Sequence, residues 1–228
     1  MNTQDKNILC YIWKKKGIDF AHYYDKYSSE GFELYQIDEI LEGVIDKIDI
    51  SKYLNINYNH QKMRQIRIGL LNDIDMSKYA DDYNPYQMEE IRLGILDDVD
   101  TTKYLNKDIH FEQMREVRVS LKEGVDISNY LNKDYSERLA IKDKLTKDLN
   151  REIGLVLNTP YNEKKFKELR IIKAKDFDIS VLKEFNYKQL VEIKYGVQRG
   201  LNVGIYLDKD IDEQYMRKIR LSLQKKDI

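Results

Sequence analysis

One short phrase recurs along this chain at a nearly fixed spacing. Two clear copies are Gln87–Arg92 followed by Asp100–Tyr104, and Gln113–Arg118 followed by Asp126–Tyr130. The residue that opens the second half of the phrase stands at Asp49, Asp75, Asp100, Asp126, Asp178 and Asn202, in steps of 26, 25, 26, 52 and 24 residues. Such a period is typical of stacked arrays in which each unit buries its apolar face against its neighbours. The chain is therefore predicted to be a repeat protein with one degenerate copy.

Apolar residues within each copy follow the spacing of one helix face. The first column holds Ile37, Met63, Met88, Met114, Phe166, Leu190 and Met216. The second, three residues on, holds Ile40, Ile66, Ile91, Val117, Leu169, Ile193 and Ile219. The third, four further on, holds Val44, Leu70, Ile95, Leu121, Val197 and Leu223. This spacing indicates the buried face of an α-helix, so the methionines are interpreted as core residues rather than as part of a cofactor site.

Small residues form another column, just before the third apolar one. It holds Gly43, Gly69, Gly94, Ser120, Gly196 and Ser222. Glycine inside a helix costs about 0.5 to 1 kcal/mol relative to alanine, so its recurrence requires a compensating gain. We expect a close helix crossing at these positions. The alternative is that each helix ends there.

The second half of the phrase predicts a short helix, because aspartate and serine side chains cap free backbone N–H groups. It ends in a tyrosine column, at Tyr53, Tyr79, Tyr104, Tyr130 and Tyr206. These rings are expected to pack against a helix while their hydroxyls reach water or a carboxylate. A ladder of rings that stacks nucleic-acid bases is the functional alternative.

Together the two elements predict an all-α helical solenoid of about eight two-helix units, with one long helix interrupting the array. The predicted segments are an atypical N-terminal capping unit, four good copies, a long helix that replaces a degenerate copy, and a basic run of C-terminal copies, at 1–30, 31–132, 133–160 and 161–228. The capping unit contains the aromatic residues Trp13 and Tyr24. The long helix is expected at Tyr135–Leu157, with Leu139, Leu145, Leu149, Ile153 and Val156 as its apolar residues.

Composition agrees with a helical array in the cytoplasm. The 228 residues include only two prolines and ten glycines, which is little for a loop-rich fold. No apolar run is long enough to cross a bilayer, and the first residues lack the apolar core of a secretory signal. The single cysteine, Cys10, cannot form an internal disulfide, which is compatible with a reducing compartment.

Charge is balanced over the whole chain but not along it. The first 100 residues carry 12 lysines and arginines against 19 acidic residues, whereas the rest carry 27 against 21. The densest basic stretch holds Lys164, Lys165, Lys167, Arg170, Lys173 and Lys175. This stretch could attract phosphate groups or an acidic protein, or it could be an ordinary solvated helix face.

A basic column occupies one place in successive copies, at Arg67, Arg92, Arg118, Arg170, Lys194 and Arg220. Stacked copies would align these side chains in a row able to hold an anionic chain or an acidic partner. The alternative is that each cation pairs with the aspartate of its own or the next copy. The candidate partner-binding residues are this basic column together with Lys164, Lys165, Lys167, Lys173, Trp13 and Tyr24.

Catalytic and metal-binding patterns are missing from the sequence. The three histidines, His22, His60 and His110, lack partners at metal-ligand spacing, and no phosphate loop, nucleophile elbow or cysteine pair occurs. We therefore predict no catalytic, cofactor-binding or metal-binding residues, and a protein that is not an enzyme.

The phrase Gln-Met-x-x-Ile-Arg-x-Gly, followed by Ile-Asp-x-Ser-x-Tyr-Ala as at Ile74–Ala80, resembles a short helical repeat of uncharacterised proteins from low-GC bacteria. These proteins are often encoded on plasmids and phages. The resemblance covers about 31–132 and 166–228, and it implies a mobile-element setting in which small proteins disable host defence complexes.

Three functions are considered for such a chain. The leading hypothesis is a binding scaffold, an anti-CRISPR-like inhibitor that occludes the surface of a host nuclease or ribonucleoprotein effector. Direct RNA or DNA binding through the basic column and the 164–175 stretch is the alternative. As a third possibility, the acidic N-terminal part imitates nucleic acid.

Overall fold

Helices account for all regular secondary structure in the part of the chain that the structure describes. This computed structural model describes residues 3–225 and contains no strand within them, which confirms the all-α class. The chain divides into two compact units, one ending at Leu96 and the other beginning at Asp97. That boundary falls inside the predicted segment 31–132, and the four predicted segments stay a prediction. No helix in the described range is long and apolar enough to span a membrane.

The N-terminal unit consists of α-helices joined by short connections. Its α-helices are α1 (Thr3–Lys15), α2 (Phe20–Ser29), α3 (Leu34–Asp46), α4 (His60–Leu70) and α5 (Pro85–Leu96). One-turn 3-10 helices follow α3 and α4, at Ile50–Lys52 and Ser77–Tyr79. Each α-helix packs against the next one in the chain.

The C-terminal unit contains the helices α6 (Phe111–Lys122), α7 (Tyr135–Leu157), α8 (Glu163–Lys173), α9 (Tyr187–Gln198) and α10 (Glu213–Gln224). Its 3-10 helices are Thr101–Lys103, Ser128–Tyr130, Ile179–Leu182 and Val203–Ile205. The second element of the phrase is thus a single 3-10 turn rather than a longer helix. The pairs α8 with α9 and α9 with α10 pack closely.

The fourth residue of each helix from α3 to α10 is a core residue, with one exception. The residues at this place are Ile37, Met63, Met88, Met114, Phe166, Leu190 and Met216, each no more than 1% exposed. Their methionines are therefore confirmed as core residues. In α7 the fourth residue is Arg138. The third predicted column lies at the edge of the core, since Val44 is 37% exposed.

The glycines of the small-residue column make room for the 3-10 segment that follows. A Cβ added at Gly43 would overlap the Tyr53 hydroxyl, and one added at Gly196 would overlap the Tyr206 hydroxyl. At Gly69 the nearest side chain is that of Met76. The predicted helix crossing is therefore wrong at these three positions, because the close neighbour is a 3-10 segment. The α-helices end one to three residues beyond these glycines.

Three tyrosines of the column are buried. Tyr53, Tyr104 and Tyr206 are at most 1% exposed, which confirms the packing role and excludes a base-stacking ladder there. The hydroxyls of Tyr53 and Tyr206 donate to the backbone carbonyls of Glu39 and Glu192 rather than to water or a carboxylate. Burial raises the pKa of Tyr206 to about 12.

Two tyrosines of the column, Tyr79 and Tyr130, are only half-buried. In these copies Met76 and Ile127 fill the core instead. This place in the core is therefore filled either by the tyrosine or by the residue three positions before it.

Aspartate caps start the 3-10 segments as the sequence predicts. Each accepts a hydrogen bond from the backbone N–H two residues later, as seen at Asp49, Asp75, Asp100, Asp126 and Asp178. A lysine of the preceding 3-10 helix also reaches the cap, with Lys52 Nζ 3.0 Å from Asp75 and Lys103 Nζ 3.1 Å from Asp126. The caps are thus occupied by local donors.

Helix α7 has the predicted bounds. Its N-cap is Asp134, and it ends where Asn158 adopts a left-handed conformation. Its predicted apolar stripe is poorly covered, however. Of the five residues named for it only Ile153 is buried, while Leu139 and Val156 are nearly half exposed.

Candidate protein-binding surface

The basic column forms ion pairs between neighbouring helices. Its residues are the eighth of each helix, and four of them, in α4, α5, α9 and α10, reach the sixth residue of the helix before. Arg67 lies 2.9 Å from Glu39, and Arg220 lies 2.8 Å from Glu192. Lys194 lies 2.7 Å from Glu168, and Arg92 donates to the amide oxygen of Gln65 at 3.1 Å. The cations are thus paired structurally, as one of the two hypotheses has it.

The prediction that these cations pair with the capping aspartates is nevertheless wrong. They bind a helix residue, which we call the glutamate column, and not the capping aspartate of the 3-10 segment. Two further carboxylates contribute from helix ends, since Arg67 also binds Asp46, and Arg118 binds Asp97 at 2.7 Å. Every side chain of the basic column is at least five-sixths buried. The column therefore offers little accessible charge to a partner.

Burial and ion pairing shift the pKa values of these charged groups in opposite directions. Burial raises the pKa of Glu39, although Arg67 works in the opposite direction. For Arg67 the hydrogen bonds and charges of Glu39 and Asp46 outweigh burial, so its pKa is raised. Burial lowers the pKa of Arg92 and of Arg170. These are the properties of interior ion pairs rather than of a surface that recognises phosphate.

Sequence reasoning missed the glutamate column. It holds Glu39, Gln65, Glu90, Glu116, Glu168 and Glu192, two residues after each core residue of the first column. The signal was present as a carboxylate or amide two residues before each member of the basic column except Arg220. The last helix, α10, carries Lys218 at this place instead.

Glutamine side chains that sequence reasoning did not single out hold the loops through hydrogen bonds. Gln36 accepts a hydrogen bond from the backbone of Glu33 and donates to the carbonyls of Ile56 and Tyr58. Gln189 bridges the same kind of loop by donating to Lys209 and Ile211. In α8 the equivalent third residue is Lys165.

Half of the cations in the basic 164–175 stretch make contacts within the fold, whereas Lys175 is exposed. Lys165 Nζ donates to the carbonyl of Lys183 at 2.9 Å, and burial lowers the pKa of Lys165. Arg170 is 3% exposed and donates to the backbone carbonyl of Glu123. Lys173 pairs with Glu152 at 2.9 Å. Lys164 is exposed and Lys167 partly so, and these two extend outward from α8.

The two aromatic candidates of the N-terminal unit also serve the fold. Trp13 is fully buried and donates from Nε1 to Asp38 at 2.7 Å, with Lys16 Nζ 4.4 Å from its ring centre. As a buried residue Trp13 is not an accessible contact, which corrects its proposed role. Tyr24 is half-buried, with Lys6 Nζ 3.6 Å from its ring centre.

An open apolar site occurs in the C-terminal unit, where α6 and α7 meet through ion pairs. Arg138 Nε and Nη2 lie 2.6 and 3.0 Å from the two oxygens of Glu116, and another nitrogen donates to the carbonyl of Lys133. Lys142 Nζ lies 2.8 Å from Glu123. These long polar side chains hold the two helices without filling the space between them.

The α6–α7 groove has a volume of about 260 Å³. Its apolar lining comes from Val119, Ile127, Tyr135 and Leu139, and Ser120 lies among them. Ser120 is completely buried, and its hydroxyl has no hydrogen-bond partner in the described chain. Tyr135 and Leu139 are 62% and 47% exposed, so the lining opens to solvent.

Charges at the groove are mainly positive. Arg115, Arg138 and Lys142 line it together with one carboxylate, Glu116. Among residues 3–225 no group of three histidines, cysteines or acidic residues is placed to hold a metal ion. Because Arg138 is paired with Glu116 and Lys142 with Glu123, the groove is chiefly an apolar site.

Comparisons with known proteins give no match: no family model, no curated protein and no solved structure is significantly similar to this chain.

Proposed function

We propose that this chain is a non-enzymatic protein-binding scaffold. The observation that carries the proposal is the α6–α7 groove, an open surface with a mainly apolar lining. Exposed apolar patches that a folded chain does not cover commonly mark protein interaction sites. A partner that covers the apolar side chains of Val119, Tyr135 and Leu139 removes them from water, and this burial favours binding.

The proposed architecture of each unit is a helical solenoid, in which parallel helices present equivalent side chains at equivalent heights. This is supported by contacts at nearly constant sequence offset. Within the N-terminal unit, Arg67 reaches back 28 residues to Glu39, and Arg92 reaches back 27 to Gln65. Within the C-terminal unit, Arg220 reaches back 28 residues to Glu192. Solenoids of this kind commonly use extended surfaces for binding.

Protein binding is favoured over nucleic-acid binding because most candidate cations are engaged. Non-specific binding to RNA or DNA relies on accessible lysines and arginines that neutralise phosphates. Here the basic column is buried and paired, and in the basic stretch Lys165, Arg170 and Lys173 already have partners. In this stretch Lys164 and Lys175 are exposed and Lys167 is partly exposed, and these three could contact phosphate.

The first partner class to test is a host defence effector in the cytoplasm, as the resemblance of the repeated phrase suggests. The experiment is affinity purification of the tagged full chain from bacterial lysate, with and without nuclease. The mass of any complex is then measured by light scattering. The expected result is a complex of fixed stoichiometry that survives nuclease and moderate salt.

Two outcomes would contradict this proposal. Recovery of nucleic acid alone, lost from the charge-reversed variant Lys164→Glu with Lys167→Glu, would establish the nucleic-acid alternative. Recovery of no partner from lysates of several low-GC bacteria would leave the scaffold function unsupported. Charge reversal at Arg217 and Lys218, which are also exposed, serves as the matched control.

A further inference from the structure

The helices that precede the basic residues differ in the acidic side chains that they provide. Counted from the start of each helix, the sixth and thirteenth residues are Glu39 and Asp46 for α3, Gln65 and Asn72 for α4, Glu90 and Asp97 for α5, and Glu116 and Glu123 for α6. Both residues of α3 bind Arg67. Of these four helices only α4 has uncharged amides at both places, so it provides no carboxylate to Arg92.

Arg92 is buried, but its charge is poorly compensated. Its side chain is 9% exposed, and its Nε donates to the neutral amide oxygen of Gln65 at 3.1 Å. Within residues 3–225 the terminal nitrogens of its guanidinium make no hydrogen bond, and Glu89 Oε1 lies 3.9 Å from Nη2, which is too far for one. Burial lowers the pKa of Arg92, and the charges of Glu89 and Glu90 offset this only in part. A buried charge without a close counter-ion is costly, so this place favours an anion.

Arg170 is the other member of the basic column without a carboxylate at hydrogen-bonding distance. Its Nε and Nη1 donate to the carbonyl of Glu123 and to Asn150, and Glu163 lies 3.9 Å from Nη2. Its side chain is only 3% exposed. Arg170 therefore uses its donors within the fold, whereas the terminal nitrogens of Arg92 remain available.

Arg92 lines a pocket of about 260 Å³ between α4 and α5, which we call the α4–α5 pocket. A second cation, the exposed Arg64, also lines it, against one carboxylate, Glu89. Ile68 and Pro85 contribute apolar atoms. The pocket thus combines an excess of positive charge with an apolar wall, and it lies wholly within the N-terminal unit.

We propose that the α4–α5 pocket binds a small organic acid, whose carboxylate pairs with the terminal nitrogens of Arg92. The two parallel N–H groups of a guanidinium match the two oxygens of a carboxylate, which makes such pairs strong and specific. The apolar body of the acid packs against Ile68 and Pro85. This ligand site is independent of the scaffold function proposed above, which rests on the α6–α7 groove in the other unit.

The charge and size of the pocket favour a carboxylate over phosphate. Two cations against the single carboxylate of Glu89 leave one positive charge, which one carboxylate neutralises, whereas a phosphate dianion would exceed it. Phosphate also lacks an apolar part for Ile68 and Pro85 to contact. Pockets for drug-sized molecules usually enclose roughly 300 to 1,000 Å³, so the smaller volume here suits an acid of few atoms.

In the α6–α7 groove, which has the same volume, the equivalent cation is already paired. Lys142 is the eighth residue of α7, as Arg92 is of α5, and its Nζ lies 2.8 Å from Glu123. Arg138 is bound by both oxygens of Glu116. The uncompensated buried charge therefore distinguishes the α4–α5 pocket from the groove and gives it its preference for an anion.

The test is calorimetric titration of the intact chain with sodium benzoate at neutral pH and constant ionic strength. We expect saturable binding with a dissociation constant of about 1 mM or lower, a reasonable affinity for so few atoms. Benzamide, which has the same shape without the charge, should give no measurable binding, and inorganic phosphate should bind more weakly than benzoate. Capped glutamate presents the carboxylate of a protein side chain, and it should also bind more weakly than benzoate.

The variant Gln65→Glu supplies the missing carboxylate from inside, as α3, α5 and α6 do at this place. It should fold, melt at a higher temperature than the parent chain and bind benzoate about tenfold more weakly or worse, because the new carboxylate occupies Arg92. Glu89→Gln should instead tighten benzoate binding by about two- to fivefold, since it removes a repelling charge. Gln214→Glu is the matched control, the same change at an exposed place on α10, and should bind as the parent does.

Circular dichroism and thermal melting establish that each variant is folded. Four results would overturn the proposal: no saturable binding of benzoate, equal binding of benzamide, tighter binding of phosphate, or unchanged binding in Gln65→Glu. Tighter binding of capped glutamate than of benzoate would also contradict a free acid, and it would place the carboxylate on a protein partner. None of these results bears on whether the α6–α7 groove binds a protein.

Discussion

Arg67 illustrates how a residue that looks functional in the sequence can be structural in the fold. It binds Glu39 and Asp46 at 2.9 Å each, and its side chain and that of Glu39 are nearly buried. Removing one member of a buried ion pair leaves the other charge without compensation in a medium that solvates it poorly. The two members therefore need to be considered together.

We predict that Arg67→Ala lowers the free energy of unfolding by about 3 to 5 kcal/mol, because Glu39 is then left buried and unpaired. The double variant Arg67→Leu with Glu39→Gln should recover most of this loss, since leucine stands at the same place in α3 as Leu41. Urea denaturation measures both. Lys52→Ala, which breaks an exposed pair, is the control and should cost no more than about 1 kcal/mol. Equal losses for Arg67→Ala and Lys52→Ala would contradict the prediction.

Gly43 provides a second test at the residue scale. Alanine is ordinarily the better helix former, but a Cβ here overlaps the Tyr53 hydroxyl. We expect Gly43→Ala to lower stability by about 1 to 3 kcal/mol, and Tyr53→Phe to relieve part of that cost when the two are combined. Thermal melting of the parent chain, the two single variants and the double variant measures these stability changes. In Gly154→Ala the new methyl group would make ordinary van der Waals contacts with Thr159 and Phe166, so this change in α7 should be neutral or raise stability by up to about 1 kcal/mol.

At the scale of the element, the 3-10 segments depend on their aspartate caps. The hydroxyl of Ser77 and the ammonium group of Lys52 hold the pKa of Asp75 below its ordinary value, and Ser51 and Ser180 do the same for Asp49 and Asp178. A carboxyl whose pKa is lower in the folded than in the unfolded state stabilises the fold only above the unfolded value, near about 3.9.

We therefore predict that these caps contribute full stability at neutral pH and lose it as the pH falls below about 4. Replacing the three aspartates by asparagine removes the titration and leaves a side-chain oxygen that can cap the segment. The difference in urea midpoint between the parent and this variant should shrink as the pH is lowered from 7 to 3. A difference that stays constant with pH would show that the cap carboxylates do not titrate abnormally.

Helix α7 is the element whose stability should be least uniform. Between Tyr135 and Glu152 only Arg138 is buried, whereas Ile153 and Leu157 lie in the core. Regions with few buried apolar contacts open with small free energies. We expect amides of the central turns of α7 to exchange with solvent faster than those of α9, as measured by hydrogen exchange with mass spectrometry.

At the scale of the whole molecule, the sequence predicted the elements better than the contacts between them. The all-α class, the core columns and the bounds of α7 followed from periodicity and capping residues, which are local signals. The partner of the basic column did not, because Glu39 and its equivalents look like solvated helix residues until the neighbouring helix is placed. The division after Leu96 also has no distinctive local signal, since the nearby Gly94 belongs to the small-residue column that recurs in the other copies.

The candidate site escaped sequence reasoning for a related reason. The methionine-to-arginine change at Arg138 becomes visible only when α7 is aligned by its first residue, since the rest of the phrase is absent there. The residues first chosen for their charge proved to be engaged in the fold. The groove is formed instead by Val119, Ile127 and Leu139, which as isolated apolar residues carry no functional signature.

Lys218 in α10 has a consequence for how the chain behaves at high concentration. The glutamates at this place in α3 and α9 each bind an arginine of the next helix, Arg67 and Arg220. Lys218 is exposed and carries the same charge as those arginines, so it repels a basic helix brought to this face of α10. Self-association of the chain through the repeated glutamate–arginine contact is therefore disfavoured at this face.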